Sequence, residues 1–202
     1  MRPVDLRGVE IADPLALALE FLEAYGTDAA GGVVRASSFD EQDLRRANRG
    51  GARISAAEIG AILERRGVIE RRLREIDPDT SLAGASVPWA PLTRLFDTFA
   101  DLRGVGLSKM TKALHPKRPA LIPMLDSVVQ AYLATDAAAT ELPASFGERA
   151  TALVRAYKRD LDLNRAVLRE LRRELARRSY RLTEVRILDI LIWSVAAERA
   201  AG

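Results

Sequence analysis

The chain has 202 residues, 48% of them hydrophobic and 29% charged, with a net charge of +3. That is globular composition, in a chain long enough to bury a sizeable core. It contains no cysteine and only one histidine, His115. Disulfides, zinc ribbons, thiol nucleophiles, iron–sulfur clusters and multi-histidine metal sites are therefore excluded. We expect no metal and no other cofactor, and any chemistry must rest on Asp, Glu, Lys, Arg or Tyr.

The opening MRPVDLRGVE lacks the charged-then-apolar pattern of a signal peptide. No stretch reaches the ~20 apolar residues of a membrane span. The expectation is a cytoplasmic protein with no membrane partner.

Pro14 introduces a first helix carrying Leu15, Leu17, Leu19, Phe21 and Leu22. Residues 26–52 are rich in Gly, Ala, Ser and Asp and read as loops, with an extended segment near residues 31–39. Ser55 and Glu58 form an S-x-x-E capping box, with Ile54 and Ile59 at the staple positions. That helix runs to about Arg66. A second follows after Gly67 and stops at Asp77-Pro78. Leu92, Leu95, Phe96, Phe99 and Leu102 recur at helical spacing. Gly104-Val105-Gly106 breaks that helix, and Leu107, Met110 and Leu114 stripe the next. Pro116 and Pro119 end it, and LIPML reads as an extended connector to a helix starting at Asp126 or Ser127. Three more helices follow, at about 145–159, 161–178 and 183–199. The last is apolar nearly all round, the mark of a buried helix. The fold class is all-α, with about eight helices. We expect one domain over 1–202 with two lobes: about 55–135, containing a hairpin at 92–115, and 1–54 plus 136–202.

The stretch 104–129, GVGLSKMTKALHPKRPALIPMLDSVV, concentrates polar chemistry. It holds His115, three of the four lysines and a lone aspartate in an otherwise apolar run. A helix, Gly-Val-Gly and a second helix make a helix-hairpin-helix. Its glycines permit a tight turn, and the amides opening the second helix form an anion site suited to a DNA phosphate. Lys109 and Lys112 lie opposite the apolar stripe, and Lys117 and Arg118 extend a basic patch. The alternative is an ordinary helical turn with solvated lysines. G-x-G-x-x-G and P-loop patterns both fail here.

With Gly104, Gly106 and an aspartate twenty positions after the second glycine, the segment resembles the helix-hairpin-helix DNA glycosylase superfamily over residues ~92–133. Asp126-Ser127-Val128-Val129 resembles the family's Asp-Thr-His-Val. The resemblance implies duplex DNA as partner and Asp126 as the carboxylate that stabilises the sugar while a flipped base leaves. The family's nucleophilic lysine position is Ser108 here and Lys109 lies one step on, which implies a monofunctional enzyme. The run KALHPKRPALIPMLDSVV, with Arg186, Asp189 and Trp193 later on, also resembles an uncharacterised bacterial family, which implies no activity.

Each feature has a plainer role. Asp126 is well placed as a helix N-cap. Arg186 and Asp189, one turn apart on the most apolar helix, read as a structural ion pair or the polar floor of a pocket. Arg165, Arg169, Arg172, Arg173, Arg177 and Arg178 read as a solvated face laced by Glu170 and Glu174, or as a surface for nucleic acid or an acidic partner. The expected function is DNA binding through Gly104, Gly106, Lys109, Lys112, Lys117 and Arg118, with base excision by Asp126. The alternatives are a non-catalytic nucleic-acid-binding or interaction protein on that scaffold, and a small-molecule-binding protein using the cleft between lobes.

Overall fold

The computed structural model describes residues 2–26, 35–134 and 145–201. The described residues form an all-α architecture with one small hairpin. In chain order they contain β1 (Val4–Leu6), β2 (Val9–Ile11), α1 (Pro14–Tyr25), α2 (Glu41–Arg49), α3 (Ala56–Glu64), α4 (Arg66–Arg74), α5 (Trp89–Asp97), α6 (Leu107–Leu114), α7 (Ser127–Leu133), α8 (Phe146–Leu163), α9 (Arg165–Arg177) and α10 (Glu184–Ala201). A single 3-10 turn, His115–Lys117, extends α6.

The antiparallel hairpin was not expected. Its register pairs Val4 with Ile11 and Leu6 with Val9. Arg7 and Gly8 both take positive φ at its two-residue turn, which suits the strands' twist. Val4, Leu6 and Ile11 point inward. Arg7 then binds Asp160 at 3.0 Å and donates to the carbonyls of Tyr132 and Leu133, at the C-terminal end of α7.

The loop reading of 26–52 is corrected by α2. Asp40 caps that helix and Asp43 returns the bond to the Asp40 amide, a capping box built from two aspartates. Residues 31–34 of the expected extended segment lie outside the described residues, and 35–39 form turn and coil. The Ser55–Glu58 box is present as expected.

The buried apolar residues join in one core, including Phe39, Leu44, Ile69, Phe96, Met110, Leu125, Tyr157 and Leu188. α5 packs along α8, while α1, α7 and α9 all pack on α10. That arrangement explains why α10 is apolar nearly all round. No described helix is long and apolar enough to cross a membrane.

Candidate active-site cleft

The connector from α6 to α7 is fixed one backbone group at a time. His115 Nδ1 lies 2.6 Å from the Ile122 carbonyl oxygen. Asp189 accepts from the Met124 amide at 3.3 Å. Thr111 accepts from the Leu125 amide at 3.0 Å, and Gln130 donates to the Leu125 carbonyl at 2.7 Å. Asp126 follows as the N-cap of α7. Its Oδ1 accepts from the amides of Val128 and Val129 at 3.1 and 3.0 Å. Its Oδ2 takes no hydrogen bond from the described residues, so half of the carboxylate is left for another partner.

Asp126 opens onto a cleft of about 240 Å³. Phe21, Tyr25 and Gly26 come from α1 and its end, Arg49 and Gly50 from the end of α2. Lys112, Met124 and Val129 add the side nearest Asp126, and α10 contributes Arg186, Asp189 and Trp193. Trp193 meets Phe21 and Tyr25 edge-on, with ring centroids 5.5 and 5.2 Å apart. The Arg186 guanidinium lies over Phe21 at 5.7 Å. Lys112 Nζ donates to the Gly50 carbonyl at 3.1 Å. The cleft thus combines two carboxylates, three cations and an aromatic wall.

Asp189 is the deepest of these groups, 3% exposed. Burial raises its carboxyl to about 7, against the opposing charge of Arg186, while Asp126 adds a like charge. The native state therefore holds this proton more tightly than an unfolded chain, whose aspartate titrates near 3.8. The stability that Asp189 contributes is full at acid pH and is lost as pH rises from about 4 to about 7. Chemical denaturation at about pH 5.5 and about pH 8 should give a drop that shrinks in Asp189→Asn.

The expected basic patch is not one surface. Lys112 reaches the cleft, but Lys117 and Arg118 are 3% and 0% exposed. The 3-10 turn containing Pro116 carries both inward. Lys117 pairs with Asp43 at 2.7 Å and donates to the Arg35 carbonyl. Arg118 donates to the carbonyls of Ala36, Lys117, Leu73 and Ile76. Two of these lie at the end of α4, where the helix dipole favours a cation. Both residues hold the fold together rather than meeting a ligand.

The glycine turn before α6 is present, but α5 ends at Asp97, so Phe99 and Leu102, expected on the first helix of the hairpin, lie in the connecting turn instead. Gly104 has φ +81, and Gly106 precedes α6 with no side chain capping it. Lys109, expected at the surface, is instead held by Glu58 at 2.7 and 2.8 Å, with its side chain 22% exposed. That bond holds the Glu58 carboxyl below its ordinary range. Glu58 also covers the turn: a Cβ at Gly104 would stand 2.2 Å from its Oε1. Ser108 and Lys109 do not line the cleft.

Arg186 and Asp189 do come together at the cleft with Asp126, as a polar floor. Phe21, Tyr25 and Arg49 were missed as site residues; nothing local in the sequence brings α1 and the end of α2 to Asp126. On α9, Glu174 pairs with Arg177 and Arg178, and Glu184 lies 3.6 Å from Arg172. Among the described residues no group of three or more His, Asp or Glu is placed to hold a metal ion.

The model of a family of unknown function, DUF6308, matches residues 19–196. The chain belongs to this family. The DUF6308 match takes in the second half of α1, the Gly104–Gly106 turn, Asp126 and the Arg186–Trp193 face, so the whole cleft lies inside it. It agrees with the likeness to an uncharacterised family read from residues 112–129. No curated protein and no solved structure matches.

Proposed function

We propose that the cleft binds a nucleotide unit presented by DNA and that Asp126 promotes hydrolysis of its N-glycosidic bond. The observation that carries this reading is the placement of Asp126. A backbone-locked carboxylate with one uncommitted oxygen faces the same cleft as an aromatic wall and three cations. A planar base suits Phe21, Tyr25 and Trp193, and phosphate oxygens suit Arg49, Lys112 and Arg186. As the bond breaks, the base leaves with the electron pair and the sugar gains positive charge, which the carboxylate stabilises. Water then adds at the sugar carbon and gives its proton to Asp126. The likeness of residues ~92–133 to the helix-hairpin-helix glycosylases supports the same assignment.

Under this reading the amides opening α6 contact a phosphate, and Glu58 competes for the position. Asp126 is unaffected by a change at that site. Glu58→Gln keeps the capping-box geometry and removes the competing charge. It should strengthen duplex binding severalfold, about fivefold for each 1 kcal/mol of competition removed. Unchanged or weaker binding would remove the hairpin from the interface.

Glu58 also favours a second reading, in which the cleft takes a free nucleotide and the hairpin meets no DNA. Fluorescence anisotropy separates the two, using duplexes with and without an abasic-site analogue across a salt series. DNA recognition predicts salt-sensitive binding, with a log–log slope of roughly −0.9 per phosphate contact, and preference for the abasic duplex. Binding without that preference would argue against excision. No binding at low salt would leave the free-nucleotide reading.

A further inference from the structure

We infer that the exposed face of α9 is a docking surface for duplex DNA, whose phosphate backbone its arginines hold. This goes beyond the chemistry of the cleft and does not depend on it.

Positive charge is concentrated on this helix. Residues 165–181 hold seven arginines and two glutamates, while the rest of the chain has more acidic than basic side chains. The buried residues of α9 are Val167, Leu168, Leu171 and Leu175. Away from them runs a row at four-residue spacing: Arg165, Arg169, Arg173 and Arg177. Each stands about 6 Å further along the axis, so the row is about 18 Å long. Like charges at that spacing destabilise a helix, and solvation alone gives no reason to keep four in line.

The acids nearby do not neutralise the row. On an α-helix Glu170 and Glu174 lie at one edge of this face. Glu174 is shared by Arg177 and Arg178, and Glu184 lies 4.0 and 3.6 Å from Arg169 and Arg172. Among the described residues Arg165 and Arg173 have no carboxylate partner. Arg173 Nε donates to the Arg169 carbonyl at 3.3 Å, and the buried Nε of Arg165 has no hydrogen-bond partner. Near the glycine turn, by contrast, Lys117 and Arg118 are buried and Lys109 is bound by Glu58.

The kind of partner follows from what the face lacks. The exposed apolar side chains of α9 are two alanines, Ala166 and Ala176. A membrane-surface helix needs bulky apolar groups to insert, and a protein interface centres on aromatic anchors. Single strands are held by stacking on aromatic rings, and α9 has none. A regularly charged duplex is the partner that fits. Duplex DNA carries one negative charge per about 1.7 Å of axis, so several phosphates meet the row. Guanidinium groups match phosphate with paired hydrogen bonds. The major groove of DNA is wide enough to admit a helix, whereas that of duplex RNA is narrow.

Fluorescence anisotropy of the intact chain with mixed-sequence duplex DNA, across a salt series, tests this. Arg169→Gln with Arg173→Gln removes two charges from the row and keeps good helix formers. Arg71→Gln with Arg74→Gln removes two exposed charges from α4 as the control. The α9 variant should bind about tenfold more weakly at low salt, and its log–log salt slope should shrink by roughly two. Its melting temperature should hold or rise, because like charges have been separated. The control should bind nearly as wild type does.

Equal weakening in both variants would overturn the inference, as would an α9 variant that binds like wild type. So would no binding of duplex DNA by wild type at low salt. Tighter binding of duplex RNA, of a polyglutamate peptide or of phosphatidylserine–phosphatidylcholine vesicles would overturn it too. Binding that depends on α9, with no base release, would keep this surface and refute the hydrolytic reading of the cleft. Base release with binding indifferent to the α9 charges would do the reverse.

Discussion

Arg118→Ala should cost roughly 3 to 5 kcal/mol of stability, the range for losing a large buried side chain together with the donors to several buried carbonyls. Arg118 is wholly buried and donates to four backbone carbonyls from three separate segments. Alanine would leave those carbonyls without donors and open a cavity as large as the side chain. Burial lowers the guanidinium's own affinity for its proton, yet the carbonyls and the end of α4 keep a cation favourable there. Arg118→Lys should recover only part of the loss, because one ammonium cannot span four acceptors in a planar fork. Urea denaturation of the two variants beside the wild type measures this. A loss below about 1 kcal/mol for alanine would contradict the structural role.

The second large effect concerns Asp126. Asparagine is as good an N-cap as aspartate, so Asp126→Asn should shift stability by only a few tenths of a kcal/mol. The same change removes the negative charge that the proposed chemistry requires. Base release should fall about 10²- to 10³-fold, the range for losing one electrostatic contact to a transition state. Binding to an abasic duplex should persist. This separation distinguishes a carboxylate that acts from one that only caps: a purely capping Asp126 gives no activity to lose. Thermal unfolding of the variant, run alongside turnover, checks both halves.

Much of this fold is local and was legible. The Ser55–Glu58 box, the glycine break before α6 and the proline stop after it follow from short-range backbone chemistry. So does Asp126 at the start of α7. The aspartate box of α2 was hidden because its segment is poor in apolar residues, with Leu44 and Ala47 its main buried contacts. The β-hairpin was hidden because three-residue strands carry little pattern.

The site was legible only in part. Asp126, Lys112, Arg186 and Asp189 were named from the sequence, and tertiary packing brings them to one cleft. Lys117 and Arg118 looked like a surface patch because charge in sequence says nothing of direction. A 3-10 turn sends them inward, where Asp43 and the carbonyls ending α4 receive them. Those acceptors lie tens of residues away, so no local rule could pair them. Their burial also gives the KALHPKRPALIPMLDSVV run a physical meaning. Its His, Lys and Arg tie α2, α4 and the connector together, and that lattice fixes the position of Asp126.

The most direct test of the cleft as a catalytic site is base release measured by mass spectrometry. Duplexes carrying a panel of damaged bases and a set of free nucleotides are incubated with wild type and Asp126→Asn. The account predicts a free base from at least one substrate with wild type, and its near disappearance with the variant. Release that is equal in the two proteins, or absent from every substrate with both, would contradict it.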